Sequence, residues 1–325
     1  LFSPHDTPGL YDSFGTDKFD DLYVSYERDE SIPRKIVGAQ ELILNLLKER
    51  AETGRIYIMN IDHCNTHSSF KDKVEMSNLC QEITLPTYPL QHIDDECGEI
   101  ALCILSAINV GKITAAGGDR ELEELCDLSV RGLEELIDYQ DYPIIAAERA
   151  TKARRSLGIG FIGLAHYLAK LGYKYDSQEA WDAVHGLSEA FQYYLLKSSN
   201  QLAKEKGWCE NFGRTKYADG ILPIDTYKKD VDEITSQEYD HDWESLRASI
   251  NEFGLRHSTL SAQMPSESSS VVSNATNGIE PPRDYLSIKK SKKGPLKQIV
   301  PQYDSLKKKY TLLWDMESNR GYINV

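Results

Sequence analysis

The sequence predicts an α/β fold in which helices outnumber strands. Two segments, 121–138 and 177–206, carry apolar side chains at helical spacing over many turns. Short apolar runs at 78–85 and 100–108 are typical of buried strands. Because the helices and strands alternate irregularly along the chain, the pattern indicates an α/β architecture.

Each element follows from its own local pattern. Apolar residues recur at helical spacing in the first predicted helix, which ends before Gly54, and Gly207 ends the longest helix. Asn277-Gly278 and Pro281-Pro282 mark turns. In chain order, the predicted elements are a helix at 33–52, strands at 55–61, 78–85 and 100–108, a helix at 121–138, a helix pair within 144–171, helices at 177–206 and 242–253, a strand at 257–263 and a helix at 303–316.

Composition and charge limit the possible classes of protein. The 325 residues suffice for one large domain or two ordinary ones. A net charge of −14 argues against a general nucleic-acid binder, which needs a basic face. The opening residues lack the features of a secretory signal, and no apolar run approaches the length of a membrane span. The six cysteines are sparse, which favours a reduced, cytoplasmic protein without a membrane partner.

An amide, a thiol and a carboxyl group alternate between residues 78 and 82. Asn78, Cys80 and Glu82 occupy alternate positions, and alternate side chains of an extended strand share one face. At about 3.3 Å per residue, the row is roughly 13 Å long. A face with a hydrogen-bonding amide, a sulfur and an acid–base group can bind and react with a polyol substrate. The alternative is a strand with two polar residues and a core cysteine, which spacing alone favours because cysteine is often buried.

A second polar segment follows Pro265. Ser266, Glu267, Ser268 and Ser269 come directly after this proline, and the next residues predict a helical turn. Serines at the N-cap and in the first turn leave backbone N–H groups able to meet an anion. The helix dipole adds about 0.3–1 kcal/mol in favour of a negative charge there. The alternative is an ordinary N-cap, and Glu267 argues mildly against a phosphate unless its carboxylate points away.

These segments, with others along the chain, resemble the catalytic large subunit of class I ribonucleotide reductase, of the kind found in enteric bacteria and their large phages. The resemblance runs from residue 1 to about residue 316. The stretches that carry it are "LFSPHDTPGLYDSF", "TGRIYIMNIDHCNTHSSF", "SNLCQEITLPT", "GEIALCILSAINVG", "DYQDYPI", "RRSLGIGFIGLAHYLAK", "GILPIDTYKKD", "STLSAQMPSESSSVVSNATNGIEPPR" and "LLWDM".

The resemblance implies that residues 1–325 form part of a catalytic barrel domain. The family fold is a ten-stranded α/β barrel of two five-stranded halves, with a finger loop through its centre. This chain is expected to hold the later half and the finger loop. The activity domain, the effector-specificity region and the first half of the barrel are expected in a preceding segment. The radical-transfer tyrosines and the mobile cysteine pair are expected in a following one.

The resemblance also implies a reaction, the reduction of a ribonucleoside diphosphate to its 2′-deoxy form for DNA replication. Cys80 matches the transient thiyl radical that removes the ribose 3′-hydrogen and later returns one. Glu82 matches the acid–base residue facing the 3′-hydroxyl, a role typically worth about 10²–10⁴-fold. Asn78 matches the amide that holds the hydroxyls. Cys103 matches one of two cysteines that supply electrons and become a disulfide, and its partner is expected in the preceding segment.

Substrate binding and partners follow from the same resemblance. No metal or cofactor is expected to bind this segment. A metal-containing small subunit is expected to supply the radical, and thioredoxin or glutaredoxin to reduce the enzyme. ATP and deoxynucleoside triphosphates are expected at effector sites outside this chain. The diphosphate loop carries Ser268 where many relatives have threonine, which keeps the hydroxyl. The expected substrate-binding residues are Leu79, Pro265, Ser266, Glu267, Ser268 and Ser269.

Two other hypotheses are weighed against an active reductase. In the first, the chain is a catalytically silent piece that serves only assembly. The joint presence of Asn78, Cys80, Glu82 and Cys103 argues against it. In the second, the chain is a glycyl-radical enzyme of related barrel type, but the segment 318–325 is a poor candidate for a glycine-radical loop.

Three further patterns have simpler explanations. The glycines of 158–163 match a dinucleotide-binding fingerprint, but a basic stretch rather than a strand precedes them, so close helix packing is predicted. The histidines and cysteine of 63–67 lack an obvious further metal ligand, which favours a structural role. The tyrosine pair 193–194 lies in an amphipathic helix and is predicted to pack rather than carry a radical.

Overall fold

The chain forms two compact units. The first comprises Leu1–Ser68 and Lys73–Pro86, and the second Ser69–Asp72 and Thr87–Val325. No helix in the described part of the chain is long and apolar enough to cross a membrane. Met316 and parts of the 318–325 segment lie outside the residues that the structure describes. A computed structural model describes residues 1–114, 116–235, 238–291, 294–315 and 320–324.

The described chain is an α/β structure in which helices outnumber strands, as predicted. The helices are α1 (Asp17–Arg28), α2 (Ala39–Thr53), α3 (Ile61–His67), α4 (Gly118–Tyr139), α5 (Ile145–Arg154), α6 (Leu164–Leu171), α7 (Gln178–Lys206), α8 (Pro223–Thr226), α9 (Trp243–Phe253), α10 (Glu267–Ser273) and α11 (Tyr303–Leu306). The strands are β1 (Ile104–Asn109), β2 (Leu157–Ile162), β3 (Leu286–Ser291), β4 (Gly294–Ile299), β5 (Thr311–Asp315) and β6 (Arg320–Asn324). β1 and β2 pair in parallel, whereas β3–β4 and β5–β6 are antiparallel.

The first unit buries few side chains. None of the residues of α1, α2 or α3 is buried. The small core of this unit includes Leu10, Val74, Ile83 and Leu85. Its helices are therefore held mainly by local structure, with little stabilisation from packing within the unit.

One predicted helix of the first unit is confirmed and one predicted strand is wrong. The helix expected at 33–52 is present as α2 and ends at Gly54, which has a φ of 65° in the left-handed region. Residues 55–60 form no strand, and Ile61 instead begins α3. An apolar run becomes a strand only where a neighbouring strand supplies its hydrogen bonds, and among the described residues none pairs with 55–60.

The core of the second unit is built around the parallel pair of strands. Every residue of β2 is buried. Two helices, α4 and α5, connect β1 to β2, and α4 packs against both α7 and β1. The buried side chains that form this core include Ile108, Leu133, Leu157, Ile159, Leu195 and Ile250. The parallel pair with its helical connection is the arrangement that parallel strands require.

Three predicted helices of this unit are confirmed. The helix expected at 121–138 is α4, and the helix expected at 177–206 is α7. The side chain of Ser177 caps α7 by accepting a hydrogen bond from the Ala180 N–H. The helix expected at 242–253 is α9, which Asp242 caps in the same way. These helices form where helical spacing and burial in the core agree.

Three other predictions need correction. The region 144–171 holds β2 between two helices, not a helix pair. The segment 257–263 makes an isolated parallel bridge from Ser261 to Ile159 rather than a full strand. The last predicted helix stops at Leu306, and β5 follows. Pairing with the distant β1 stabilises β2, and pairing with the adjacent β6 stabilises β5. Helical spacing in the local sequence reveals neither partner.

Two consecutive arginines anchor the start of β2. The Arg154 guanidinium is 1% exposed, and it donates to Glu99 Oε2 at 2.8 Å and to Asp72 Oδ2 at 2.9 Å. Arg155, with a φ of 47°, donates through Nε to Glu134 Oε2 at 2.7 Å. The two guanidinium groups bind separate carboxylates, so the chain direction at the entrance to β2 is fixed by charge-assisted hydrogen bonds.

Glu134 is the centre of a buried ionic cluster. Its carboxylate is 0% exposed and also accepts from Arg256 Nε at 2.7 Å, and it lies 3.0 Å from His257 Nε2. Burial alone raises the pKa of Glu134, but the hydrogen bonds from His257, Arg155 and Arg256 together lower it far below its ordinary value. The group is therefore a buried carboxylate that stays ionised because cationic and hydrogen-bonding partners surround it.

Candidate active site

The segment 78–83 is a turn rather than a strand. Gln81 has a φ of 61°, and its N–H donates to the Asn78 carbonyl at 3.2 Å. The Ile83 N–H donates to Asn78 Oδ1 at 3.4 Å. The prediction that Asn78, Cys80 and Glu82 share one face of an extended strand is therefore wrong. Its physical cause is the Asn78 side chain, which satisfies a backbone N–H that a strand would give to its neighbour.

The turn presents its chemical groups to different degrees. Cys80 is exposed, and the adjacent Leu79 side chain is 83% exposed. Glu82 is half-buried, and its Oε2 atom is buried with no hydrogen-bond partner among the described residues. Leaving a buried polar atom unsatisfied costs about 1–3 kcal/mol. The unsatisfied Oε2 atom therefore does not stabilise the fold. Its position suits a carboxyl group that forms a hydrogen bond to a bound ligand.

Asn78 keeps one half of its amide available. Its Oδ1 atom accepts the Ile83 N–H, and its side chain as a whole is exposed. The Nδ2 group carries the two hydrogens of the amide. A donor at this position can bind a hydroxyl oxygen while the other end of the side chain maintains the turn.

Cys103 belongs to the second unit and lies directly before β1. The strand predicted at 100–108 begins only at Ile104, so Cys103 is at its entrance. The thiol is half-buried, and its Sγ atom is 3.9 Å from the Ile104 carbonyl oxygen. A half-buried thiol at the start of a strand is held by its neighbours and still reachable by a partner group.

The serine-rich segment forms the short helix α10, as predicted. Ser266 is its N-cap and is 4% exposed, but its hydroxyl lies 3.5 Å from Asn277 Oδ1 and does not cap the helix. The first helical hydrogen bond runs from the Ser270 N–H to the Ser266 carbonyl at 2.8 Å. The amides of Ser268 and Ser269 therefore have no acceptor within the helix.

The hydroxyls of this segment have different roles. Ser269 Oγ donates to the Ser266 carbonyl at 3.1 Å, and Ser270 Oγ to the Glu267 carbonyl at 3.0 Å. Ser268 is exposed in the first turn, as is Pro265 before it. Ser268 therefore combines an exposed hydroxyl with an outward backbone amide, whereas the hydroxyls of Ser266 and Ser269 are directed to groups of the loop itself.

The predicted site residues are divided between the two units. The turn with Asn78, Cys80 and Glu82 belongs to the first, and Cys103 and α10 belong to the second. Within each unit, the structure places these side chains at exposed or half-buried positions, except for Ser266.

The other patterns singled out in the sequence have structural explanations. The segment 63–67 lies in α3, and no group of three or more ligating side chains in the described residues is placed to hold a metal ion. Tyr194 is buried and Tyr193 packs beside it, so the packing prediction for this pair is confirmed. The glycines at 158 and 160 lie inside β2 and within a βαβ unit, so the prediction of helix packing is wrong.

Sequence reasoning missed the role of these glycines next to Cys103. Part of a signal was present, since two glycines at alternate positions in the apolar run 157–162 leave open space on one face of a strand, but the local sequence does not say which residue fills it. Their match to a dinucleotide fingerprint was rejected for its context, and close helix packing was predicted instead. In that fingerprint the glycines follow the strand, whereas here the first two lie within it.

Comparison with known proteins identifies the family of this chain. A family model described as the barrel domain of ribonucleotide reductase matches residues 1–322. The chain is 60% identical to the ribonucleoside-diphosphate reductase subunit alpha of Haemophilus influenzae and 58% identical to the reductase 1 subunit alpha of Escherichia coli, in both cases over 100% of its length. It is 43% identical to subunit alpha of Enterobacteria phage T4 over 99% of its length.

The protein is thus an α/β protein with a cysteine-bearing turn and a serine-rich helix start. More particularly, the chain belongs to the ribonucleotide reductase barrel domain family. It spans 43% of the length of each of these three relatives.

Proposed function

We propose that this chain is part of a reductase that converts ribonucleoside diphosphates to 2′-deoxyribonucleoside diphosphates through a thiyl radical. The observation that carries the proposal is the turn 78–83, in which an exposed thiol adjoins a carboxyl group with an unsatisfied buried oxygen. The names and high identity of the relatives support the same reaction. The alternative, a catalytically silent assembly piece, does not explain why an unsatisfied carboxylate adjoins an exposed cysteine.

In the proposed reaction, Cys80 carries the radical and removes the hydrogen atom from C3′ of the ribose. Glu82 accepts or donates a proton at the 3′-hydroxyl, and its unsatisfied Oε2 is the atom for this role. The Nδ2 group of Asn78 donates to a ribose hydroxyl. Cys103 and a second cysteine supply two electrons and two protons as they form a disulfide, and the 2′-oxygen leaves as water. Cys80 then returns a hydrogen atom to C3′.

The diphosphate is proposed to bind at the start of α10. The exposed hydroxyl of Ser268 and the amides of Ser268 and Ser269 are the donors that support this placement. Pro265 and Glu267 flank these donors, and Leu79 lies next to the reacting thiol in sequence. The serines at 266 and 269 maintain the loop, which differs from the equal role that the sequence predicted for all the serines.

The remaining parts of the proposal follow from the family. The chain contributes to a ten-stranded α/β barrel with a central finger loop, completed by other segments of an alpha subunit. A metal-containing small subunit supplies the radical, and thioredoxin or glutaredoxin reduces the disulfide. ATP and deoxynucleoside triphosphates act at sites outside this chain. The enzyme is placed in the cytoplasm.

The two cysteines provide the test of the reaction. In a reductase assembled with the rest of the alpha subunit and the small subunit, Cys80→Ser should abolish product formation, because an O–H bond is too strong to replace S–H in the radical step. Cys103→Ser should still permit 3′-hydrogen abstraction but block reduction, so free base should be released from the substrate. Exposed Cys97 in the second unit is the matched control, and Cys97→Ser should retain activity. Identical behaviour of the first two variants would contradict the division of roles.

A second test concerns the phosphate. Ser268→Ala removes one hydrogen bond to a charged group, so binding of a nucleoside diphosphate should weaken by about 1.5–3 kcal/mol. Binding of the unphosphorylated nucleoside should change much less. Ser273 is the matched control, because its hydroxyl donates to the Ser269 carbonyl at the far end of α10. Equal losses for the two ligands would place the phosphate elsewhere.

A further inference from the structure

Glycines fill two of the three positions on one face of β2, and Ile162 fills the third. Gly158 and Gly160 occupy alternate positions in this strand, so both would direct a side chain to the same side. Neither has a positive φ, and β2 has ordinary strand pairing throughout. The backbone conformation therefore does not require glycine at these positions, and the reason for it lies in the surrounding space.

The groups that fill this space come from the segments on each side of β2. A methyl group placed on Gly158 would lie 2.5 Å from Cys103 Sγ, 2.7 Å from Leu105 Cδ2 and 3.1 Å from Ala262 Cβ. A methyl group on Gly160 would meet the Ala262 carbonyl oxygen and lie 3.1 Å from Met264 Sδ. Heavy atoms at rest stay about 3.5–4.0 Å apart, so both sites are closed to any other residue unless the neighbours move.

The positions of these neighbours are set by the backbone. Leu105 pairs directly with Gly158 in the parallel ladder, and Cys103 precedes it on the same face. On the other side of β2, the Ile159 N–H donates to the Leu260 carbonyl at 2.8 Å, and the Ala262 N–H donates to the Ile159 carbonyl at 3.1 Å. The glycine face thus lies between the cysteine and the segment that leads to Pro265 and α10.

We propose that Gly158 is a positioning residue that fixes the Cys103 sulfur by leaving it the space beside β2. The functional meaning of this position rests on the role proposed above for Cys103 as a reducing thiol. The sulfur and the Leu105 tip both lie in the space that a side chain at residue 158 would occupy. Any β-carbon at residue 158 displaces the sulfur.

The two glycines have separable effects. Gly158 contacts the cysteine side chain, whereas Gly160 contacts the backbone and side chain of the segment entering the serine helix. A substitution at residue 158 should therefore change the chemistry of one thiol. A substitution at residue 160 should instead change the binding of substrate, seen as a rise in KM.

The direct test is the alkylation rate of each cysteine, measured by peptide mass spectrometry on the intact chain with iodoacetamide. In Gly158→Ala, the alkylation rate at Cys103 should differ by about fivefold from the rate in the unsubstituted chain, because the new methyl group forces the sulfur off its rotamer. The rates at Cys64 and Cys97 should stay the same. Burial raises the pKa of the Cys126 and Cys209 thiols to about 12, so neither should react in either protein.

A glycine with open surroundings supplies the control for the substitution itself. A methyl group on Gly132, in α4, would have nothing within 4 Å, so Gly132→Ala should leave all the alkylation rates as they are. An unchanged rate at Cys103 in a folded Gly158→Ala protein would overturn the inference.

A second measurement applies if Gly158→Ala folds poorly. In a Leu105→Ala background, which removes the leucine tip from the contact, Gly158→Ala should lower the urea midpoint when Cys103 is present. The same change should cost much less when Cys103→Ala has removed the sulfur. An equal cost with and without the sulfur would show that the thiol does not occupy this space, and would overturn the inference.

Turnover separates this inference from the proposed function. In the assembled reductase, Gly158→Ala should lower kcat with little change in the KM for the diphosphate, and Gly160→Ala should do the reverse. A changed Cys103 alkylation rate with unchanged turnover would confirm that Gly158 positions the sulfur, and would show that Cys103 is not the reducing thiol.

Discussion

The two units of this chain differ in how their helices are stabilised. In the first unit, α2 has no buried residue within its described length, and Leu44 on this helix is 58% exposed. In the second, α7 buries Ala180 and many residues between Leu187 and Ala203, and Leu195 is 0% exposed. Both helices were predicted from the same kind of spacing. Helical spacing therefore reports the local preference of the chain, and it does not report how much packing stabilises the helix.

The units also differ in their charged groups. Lys48 and Glu52 on α2 are 4.0 Å apart, with side chains 70% and 62% exposed. In the second unit, the Arg155–Glu134 pair is buried at 5% and 0%. Water screens the charges of the exposed pair. The buried carboxylate is out of contact with water, so only its protein partners stabilise its charge. Breaking an ion pair should therefore change the free energy of unfolding much more in the second unit than in the first.

The largest expected effect tests this difference in charge. Arg155→Met removes a partner of a buried carboxylate and should lower the free energy of unfolding by about 3–5 kcal/mol. Lys48→Met, the matched change in the first unit, should lower it by less than about 0.5 kcal/mol. Urea unfolding of both variants measures the two costs. Similar values would mean that Glu134 is solvated in some other way.

A smaller effect tests the difference in packing. Leu195→Ala in α7 creates a cavity in the core and should lower the free energy of unfolding by about 2–5 kcal/mol. Leu44→Ala in α2 removes a mostly exposed side chain, so the change should stay within about 0.5 kcal/mol. Thermal and urea unfolding of this pair provide the comparison. A large cost at Leu44 would show that α2 is covered in the protein as it exists in solution.

The accuracy of the sequence predictions follows the same division. The helices α4, α7 and α9 were predicted to within a few residues, because core spacing is regular in all three and polar N-caps begin α7 and α9. The strand at 55–61 was wrong, and so were the strand at 78–85 and the helix at 303–316, whose positions depend on hydrogen bonds that the local pattern does not contain. A strand is defined by its partner, and the spacing of its own residues does not identify that partner.

The residues of the candidate site were proposed from the sequence, whereas its geometry could not be predicted from it. The resemblance supplied Asn78, Cys80 and Glu82, yet the turn depends on one hydrogen bond to Asn78 Oδ1. The start of α10 was predicted, but the different roles of its serine hydroxyls depend on individual rotamers. The contact between Gly158 and Cys103 could not be predicted, because it requires the register of β1 against β2.

The last comparison concerns protons. His257 is 0% exposed, within the cluster formed by Glu134, Arg155 and Arg256. Burial lowers the pKa of His257, and the hydrogen bond to Glu134 opposes this only in part. The unfolded chain therefore binds a proton at this residue at a pH where the folded chain does not. For such a group, the free energy of unfolding is highest above the unfolded pKa of about 6.5 and decreases as the pH falls below it.

We accordingly expect acid to weaken the second unit through His257 before it affects Glu134. One proton changes the free energy of unfolding by at most about 1.4 kcal/mol per pH unit. The pKa of Glu134 is also depressed, but from an ordinary value of 4.5, so its contribution is lost only below that pH. Urea unfolding between pH 7.5 and about pH 5 therefore reports on His257 together with His166, whose pKa is also lowered by burial. His257→Gln should flatten the pH dependence in this range, whereas His63→Gln, at an exposed position in the first unit, should leave it unchanged. An unaltered slope in His257→Gln would mean that the folded protein protonates His257 as readily as the unfolded chain does.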